Sequence, residues 1–330
     1  MKNVKRSKTL TSRRFGFRAA YAIDAAMALF PVSYPQVLIT GFWRSGTTWV
    51  QEMIAEALDA KTLFEPFSPK ANPPFNRPVC DRSSDTPHRE AFIPLDVTRF
   101  TEQDLKFLDA IFAGVCPARF AFLCRTSVSE SFRRRAVIKM VRGQFVLPYL
   151  MARYPIRAVH VTRHPCAVVA SLLNTDWDWS FGEVKFANLW PHSEALDASL
   201  KEDVAKLIGY DDRPAFERIA AYWAFTERQV ARIQHERLLK VEYEPLVIGG
   251  RERFNTIINF LGGGSSDIDL DRNSVVTVSN RLNIPSSVRT DSWRKTLPLE
   301  TQNRIEEVIA DIWPEGAEHW FSPAYSLVQG

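Results

Sequence analysis

The chain has 330 residues, and its 42 Lys and Arg against 38 Asp and Glu give a formal net charge of +4. This small basic excess does not indicate a nucleic-acid-binding protein, but it suits an anionic cofactor. The length allows one large domain or two small ones, and 45% hydrophobic residues supply a substantial core. The four cysteines form no CxxC pair; they could form disulfides, but in a chain of this length we expect reduced thiols and a cytoplasmic protein.

The first 36 residues combine a basic segment with a short apolar one. "MKNVKRSKTLTSRRFGFR" precedes "AAYAIDAAMALF", and Asp24 stands in the apolar part. A membrane-spanning helix needs about 20 apolar residues, and a signal peptide rarely carries an acidic residue at its centre. We expect residues 1–36 to form a basic arm and a packed helix, followed by one domain over residues 37–330. The alternative is a basic amphipathic helix in peripheral contact with an anionic membrane surface.

The first predicted strand and the first predicted helix of the domain flank a turn that contains Gly, Ser and Thr. Val37–Thr40 has the apolar composition of a buried strand, and a helix over Thr48–Leu58 places three apolar residues on one face. Residues 65–95 are rich in Pro, Asn, Asp and Ser, which predicts a long irregular loop. A loop of this length in a compact domain is usually functional or disordered.

Strands and helices alternate over the rest of the chain. A capping pattern at Thr101 begins a helix. The predicted strands are "AVIKMV", "IRAVHVTR" and the first part of "LLKVEYEPL", which ends in a turn. The predicted helices are "FVLPYLMARY", "PCAVVASLLN", residues 216–233, "FNTIINFLGG" and "LETQNRIEEVIADIW". This alternation predicts an α/β fold, a P-loop-like three-layer domain with a mainly parallel central sheet flanked by helices.

The turn "GFWRSGTTW" has the composition of an anion-binding loop. The backbone N–H groups of such a turn and the N-terminus of the following helix favour a phosphate group. Ser45, Thr47 and Thr48 add hydroxyl donors, and Arg44 adds a planar cation. The two glycines fit the spacing of a nucleotide-hydrolase loop, but Thr47 stands where such a loop carries Lys. The simpler interpretation is a tight turn that binds nothing.

A second candidate anion site lies in "AVHVTRHPCAVVASLLN". Arg163 ends a predicted strand, and Ser171 follows eight residues later, two turns into the next helix. Both side chains could contact a second phosphate group beside the first. Alternatively, Arg163 is a surface charge and the Ser171 hydroxyl bonds to its own helix backbone.

Together these two stretches resemble the sulfotransferases that use 3′-phosphoadenosine 5′-phosphosulfate (PAPS) and release adenosine 3′,5′-bisphosphate (PAP). The resemblance implies that the loop binds the 5′-phosphosulfate and that Arg163 and Ser171 bind the 3′-phosphate. Trp49 matches an aromatic residue that packs on the adenine, and Tyr243 in "VEYEPL" matches a tyrosine near it. "WRKTL" resembles a C-terminal basic segment, although the Gly-rich continuation of many members is absent. The implied cofactor-binding residues are Arg44, Ser45, Gly46, Thr47, Thr48, Trp49, Arg163, Ser171, Tyr243, Arg294 and Lys295.

The candidate catalytic residues resemble the carbohydrate-type branch more than the cytosolic phenol and steroid branch. The latter carries Lys where Arg44 stands and a catalytic His in a "KTH" stretch, whereas "IKMVRG" keeps Lys139 and no His follows. A carboxylate is the general base in related branches, which points to Glu65 in "LFEPF". Arg44 and Lys139 would stabilise the transferred group without a metal. His88 and His160 are the alternative bases, and Glu65 could instead be a salt-bridged structural carboxylate.

The resemblance therefore implies transfer of a sulfuryl group from PAPS to a hydroxyl or amine of a small-molecule, glycan or lipid acceptor. No nucleic-acid partner is expected. Arg142 is a candidate for contacts with substrate anions, and the aromatic residues Trp177, Trp179 and Phe181 for an acceptor pocket. Two other functions stay open: a nucleotide kinase or NTPase, and a protein that binds PAPS or PAP without turnover. Thr47 in place of Lys and the lack of a strand ending in a magnesium-binding Asp argue against the kinase.

Overall fold

The structure is a computed structural model that describes residues 9–30, 35–68, 100–175, 185–188, 198–265, 267–274, 290–323 and 325. Some of the sequence-based predictions fall on other parts of the chain. The predicted loop beyond residue 68, Cys80, His88, Trp177, Trp179 and Phe181 lie outside the described residues.

A five-stranded parallel sheet forms the centre of the molecule. Its strands are Val37–Thr40 (β1), Lys61–Phe64 (β2), Ala136–Lys139 (β3), Arg157–Thr162 (β4) and Leu238–Glu242 (β5). They lie in the order β2-β3-β1-β4-β5, and each neighbouring pair is parallel. Parallel strands need crossover connections, which the helices between them provide. The predicted α/β fold with a parallel sheet is confirmed.

Helices connect and cover these strands. Thr101 begins one of them with the predicted capping box, because its hydroxyl accepts from the backbone N–H of Asp104 while the Asp104 carboxylate accepts from the backbone N–H of Thr101. The helices are Thr9–Met27 (α1), Thr47–Ala57 (α2), Glu102–Phe112 (α3), Leu147–Arg153 (α4), Pro165–Leu173 (α5), Ala198–Ile208 (α6), Ala215–Ala231 (α7), Tyr243–Ile248 (α8), Gly250–Phe260 (α9), Trp293–Thr296 (α10), Leu299–Ile312 (α11) and Pro314–Trp320 (α12). Short 3-10 helices lie at Arg119–Phe122, Val128–Phe132, Gln144–Val146 and Phe186–Asn188.

Both faces of the sheet are buried, which makes the domain three-layered as predicted. Val37 and Ile39 of β1 pack in one apolar cluster with residues of α2, α8 and α9. Leu38, between them, belongs to the cluster on the opposite face, which contains residues of α3 and α4. Successive strand residues point to opposite faces, so a strand buried on both sides is apolar at every position. A third cluster, built on α5, α7, α11 and α12, extends the core beyond β4.

Helix α1 is fixed to the domain by a buried ion triad. Asp24 is fully buried, and its carboxylate oxygens lie 2.9 Å from Lys61 Nζ and 2.8 Å from Arg125 Nη2. Arg125 also donates to the carbonyl of Thr62 and to the hydroxyl of Ser131. Burial lowers the pKa of Lys61, which opposes the effect of Asp24. Helix α1 thus packs on the domain through Asp24. Within the described ranges no helix is both long and apolar enough to span a membrane.

Several elements differ from the sequence-based predictions, and helices α6, α10 and α12 were not predicted at all. β2 was not predicted, because its first residue is a lysine, and this lysine is buried only through its pairing with Asp24. The residues after β5 form helix α8 and not a turn, since Pro245 lies in the first helical turn, where proline is tolerated. Helix α9 begins at Gly250, earlier than its first apolar residue Phe254 suggested.

Candidate active site

The predicted site residues lie at the carboxyl ends of all five strands. The loop of Arg44 follows β1, Glu65 follows β2, and Lys139 is the last residue of β3. Arg163 follows β4, and Tyr243 follows β5. The strands are parallel, so these five positions share one edge of the sheet. In open α/β folds, ligands bind at this edge.

The loop after β1 offers buried donors to an anion. Gly46 adopts φ 82° at the N-terminus of α2, and a Cβ at this position would collide with the ring of Tyr243. Glycine is therefore required there by both conformation and space. The Ser45 hydroxyl is buried and has no hydrogen-bond partner among the described residues, and Thr47 is also buried. A buried hydroxyl without a partner is costly, so this loop fits an anionic ligand group.

The two predicted anion motifs are in direct contact. Arg44 Nε donates to Ser171 Oγ over 2.9 Å, and Arg163 Nη1 donates to the backbone carbonyl of Arg44 over 3.0 Å. The loop after β1 and the helix after β4 therefore present their cations within one continuous surface. Sequence spacing alone does not establish this contact, because 119 residues separate Arg44 from Arg163.

The guanidinium of Arg163 lies between an aromatic ring and a buried carboxylate. Its Cζ is 5.0 Å from the ring centroid of Tyr243, and its Nε is 3.6 Å from Glu244 Oε1. Trp49 packs edge-on against Tyr243 at 6.1 Å, and its Nε1 donates to the carbonyl of Arg272. The structure thus brings Trp49, Arg163 and Tyr243 together, and Glu244 is a residue that the sequence did not single out.

Two buried titratable groups support the start of helix α5. Burial raises the pKa of Glu244 to about 7, which Arg163 and hydrogen bonds partly offset. Burial and the nearby charge of Arg294 lower the pKa of His164 to about 3, so this imidazole is neutral at physiological pH. The His164 ring stacks on Trp293, and Arg294 covers that indole. Arg294 therefore lies near the Arg163 region; Lys295 is its exposed neighbour in α10.

A buried ion pair joins the ends of β2 and β3. Glu65 Oε1 lies 2.7 Å from Lys139 Nζ, and both side chains are almost fully buried. The backbone N–H of Val141 lies 3.3 Å from both Glu65 oxygens, and Arg142 Nη1 lies 3.6 Å from Oε2. Lys139 Nζ also lies 4.3 Å from the ring centroid of Phe64. The structure thus brings Glu65, Lys139 and Arg142 together at the same sheet edge as the candidate anion-binding loop.

Two of the predicted site residues adopt a left-handed backbone conformation. Arg44 has φ 66° and Glu65 has φ 47°. This conformation costs a non-glycine residue roughly 1–2 kcal/mol, and such strain is concentrated at functional sites. The strain supports a functional hypothesis for both residues.

His160 is a buried structural residue. Its Nδ1 lies 2.9 Å from Thr40 Oγ1, and its Nε2 lies 2.8 Å from Glu227 Oε2. Thr162 donates to the same glutamate oxygen over 2.7 Å. The imidazole is buried and both of its nitrogens are engaged, by Thr40 and by Glu227, so neither nitrogen is available to an acceptor molecule. The network joins β1, β4 and α7 directly behind the two anion motifs.

The fold is α/β, and the two candidate anion motifs lie at the carboxyl edge of its parallel sheet. A family model described as "Sulfotransferase family" matches residues 35–266, which is more than half of the chain. The chain belongs to the sulfotransferase family. A search of curated proteins gave no significant match.

Several solved structures are similar at low identity. The sulfotransferase domain from the Curacin biosynthetic pathway has 14% identity over 84% of this chain and 98% of its own, with a TM-score of 0.41. The sulfotransferase domain of the Synechococcus PCC 7002 olefin synthase has 17% identity over 84% of this chain and 95% of its own, with a TM-score of 0.43. Mouse sulfotransferase SULT7A1 complexed with PAP has 12% identity over 90% of this chain and 92% of its own, with a TM-score of 0.39. These similarities are weak, and the family assignment rests on the family model.

Proposed function

We propose that this sulfotransferase moves a sulfuryl group from PAPS to a hydroxyl or amine of an acceptor. The observation that carries the proposal is the contact between the two anion motifs, through Arg44 with Ser171 and Arg163 with the Arg44 carbonyl. A nucleotide with anionic groups on both its 5′ and its 3′ oxygen needs two adjacent cationic sites. A nucleoside triphosphate has no 3′-phosphate and would leave Arg163 without a ligand group.

The residues at the strand edge fit PAPS and its product PAP. PAPS, when bound, supplies the sulfuryl group and a bisphosphate leaving group. The loop residues Arg44 to Thr48 would hold the 5′ end, and the buried Ser45 hydroxyl would gain a partner there. Arg163 and Ser171 would hold the 3′-phosphate. Tyr243 and Trp49, with Arg294 and Lys295 from α10, would complete the adenosine side of the site.

The chemistry is assigned to Glu65, Lys139 and Arg44. Glu65 would accept the proton that the acceptor hydroxyl or amine loses, because no histidine follows Lys139 in "IKMVRG". Lys139 and Arg44 would stabilise negative charge on the transferred group and on the leaving phosphate. The Lys139 ammonium and the Val141 N–H fix the orientation of the Glu65 carboxylate. A preorganised carboxylate of this kind needs little rearrangement during reaction.

The finer features of the proposal concern the acceptor. Arg44 in the phosphate loop and Glu65 in place of a histidine favour the carbohydrate-type branch, with a glycan or lipid acceptor. Leu29 and Phe30 are 83% and 58% exposed after α1, and the segment before α1 is basic. These features favour peripheral contact of the N-terminal region with an anionic membrane surface.

The first test compares nucleotides by isothermal titration calorimetry. PAP should bind much more tightly than ATP or 5′-AMP, because only PAP carries the 3′-phosphate that Arg163 and Ser171 would contact. Added magnesium should not be required. If ATP with magnesium proved to be the tightest ligand, the kinase alternative would replace this proposal.

A second test removes the proposed 3′-phosphate contact. A hydrogen bond to a charged group contributes about 1.5–3 kcal/mol, so Arg163→Ala should weaken PAP roughly tenfold to a hundredfold or more. The affinity for 5′-AMP should change far less. Arg153→Ala, which removes an arginine of α4 paired with Asp109, is the matched control and should leave both affinities unchanged. Equal losses for PAP and 5′-AMP in Arg163→Ala would show that Arg163 only supports the fold.

A further inference from the structure

Glu244 is a buried carboxylate that contacts the predicted 3′-phosphate residue from behind. It is fully buried at the second position of α8, and its Oε1 lies 3.6 Å from Arg163 Nε. Both of its oxygens accept from the backbone N–H of His164, at 3.2 and 3.3 Å. The Tyr325 hydroxyl donates to Oε2 over 3.3 Å. One carboxylate therefore joins the end of β4, the start of α5 and the C-terminal segment.

These contacts restrict the guanidinium of Arg163 on several sides. Glu244 attracts Nε, the Arg44 carbonyl accepts from Nη1, and the Tyr243 ring covers one face. An arginine side chain held in this way loses little entropy when it binds a phosphate. The same carboxylate accepts from the N–H of His164, the N-cap residue of α5, and the His164 ring accepts from the N–H of Cys166. Because these N–H groups are already bonded, a phosphate at the start of α5 would be bound by side chains.

Stability alone does not explain a carboxylate at this position. Its pKa is raised to about 7 because burial disfavours the ionised form more than Arg163 and its hydrogen bonds favour it. The folded-state pKa lies above the ordinary value of 4.5, so the protein loses stability as pH rises from about 4.5 to above 7 and Glu244 becomes ionised. A neutral isostere would accept the same N–H and O–H donors without this cost.

We propose that Glu244 is a positioning residue that orients Arg163 toward the 3′-phosphate of the donor nucleotide. The inference rests on the proposed function, because it assumes that Arg163 binds that phosphate. Glu244 itself would touch neither the nucleotide nor the acceptor. Its role is to fix the guanidinium plane and the start of α5 relative to each other.

Glu244→Gln is the most direct variant for a binding test. Glutamine keeps the shape and an acceptor oxygen, but it removes the negative charge that Glu244 places beside the Arg163 guanidinium. PAP should then bind about tenfold more weakly, while 5′-AMP affinity stays unchanged. In the double variant Arg163→Ala/Glu244→Gln, PAP affinity should equal that of Arg163→Ala alone, because a positioning residue acts only through Arg163. Additive losses in the double variant would overturn the proposal.

A second measurement needs no nucleotide. The ¹H–¹⁵N signal of Arg163 Nε in the free protein, assigned by its loss in Arg163→Ala, should shift and exchange faster in Glu244→Gln. Glu242→Gln is the matched control, because that carboxylate lies two residues earlier and pairs with His319 at 2.8 Å. The control should change neither the Arg163 signal nor PAP affinity. Glu244→Asp, which keeps the charge at shorter reach, should give a smaller PAP loss and serves if the Gln variant does not fold.

The two measurements separate failure of this inference from failure of the proposed function. If the wild-type protein does not bind PAP, the proposed function fails, and the Arg163 signal still decides whether Glu244 positions that residue. Suppose instead that the wild-type protein binds PAP. If Glu244→Gln then keeps both the PAP affinity and the Arg163 signal, the positioning role is wrong. Where Glu244→Gln does not fold, the same outcome in Glu244→Asp decides. Weaker PAP binding with unchanged 5′-AMP binding and an altered Arg163 signal supports it.

Discussion

Glu65→Gln is expected to lower turnover by about 10²–10⁴-fold, the usual contribution of a general base. Glutamine is nearly isosteric with glutamate but accepts no proton at neutral pH. The affinity for PAP should be nearly unchanged, because Glu65 follows β2, pairs with Lys139 at the end of β3 and belongs to neither anion motif. The measurement is turnover at saturating PAPS with a genuine acceptor, combined with a PAP titration of the same variant.

The Glu65–Lys139 ion pair means that Glu65→Gln needs a control for lost stability. Glu65→Gln also leaves the buried Lys139 ammonium without its carboxylate partner, so the free energy of unfolding should fall whether or not Glu65 is the base. A loss of stability therefore does not distinguish a catalytic from a structural glutamate. The double variant Glu65→Gln/Lys139→Met removes the unpaired charge, and it should recover melting temperature but not turnover. Near-wild-type turnover in Glu65→Gln would end the assignment, and loss of activity in His88→Ala instead would indicate His88 as the base.

Asp24→Ala is expected to lower the free energy of unfolding by about 3–5 kcal/mol, the range measured when one partner of a buried ion pair is removed. Asp24 neutralises Lys61 and Arg125 at once, and all three side chains are buried. Without it, two buried cations would face each other, and helix α1 would lose its polar attachment to β2. Urea denaturation followed by circular dichroism measures the change.

Two further variants test the explanation of this loss. Glu307→Ala removes an exposed carboxylate that pairs with Arg304 at 2.7 Å on α11, and it should change stability by less than about 1 kcal/mol. Lys61→Met leaves the Asp24–Arg125 pair intact and should cost less than Asp24→Ala. If Asp24→Ala behaved like Glu307→Ala, the triad would not be what fixes α1 to the domain.

The sequence predicted the parts of the fold that depend on local apolar patterns. β1 was predicted with its observed bounds, because four apolar or β-branched residues precede a glycine turn. Helix α3 was predicted from the capping pattern at Thr101, which the structure confirms. The ends of β1 and β4 could also be placed, and in a parallel sheet this is enough to bring Arg44 and Arg163 to one edge.

The sequence could not supply features that depend on tertiary pairing. β2 begins with a lysine, and nothing in the local pattern shows that Asp24 and Arg125 will bury it. Glu244 precedes a proline and has the local appearance of an exposed turn residue, yet it is fully buried beside Arg163. The Glu65–Lys139 pair joins residues 74 positions apart. Each of these contacts follows from the strand order, which spacing along the chain does not reveal.

Transfer of labelled sulfate tests the central claim most directly. The purified chain would be incubated with PAPS labelled in its sulfuryl group and with extracts containing small-molecule, glycan and lipid acceptors. We predict a labelled product that forms without added magnesium and is strongly reduced in Glu65→Gln. A preparation that binds PAP but labels no acceptor would be a non-catalytic binding protein, and transfer of the terminal phosphate of ATP in the presence of magnesium would make it a kinase. Either result would contradict the sulfotransferase activity proposed here.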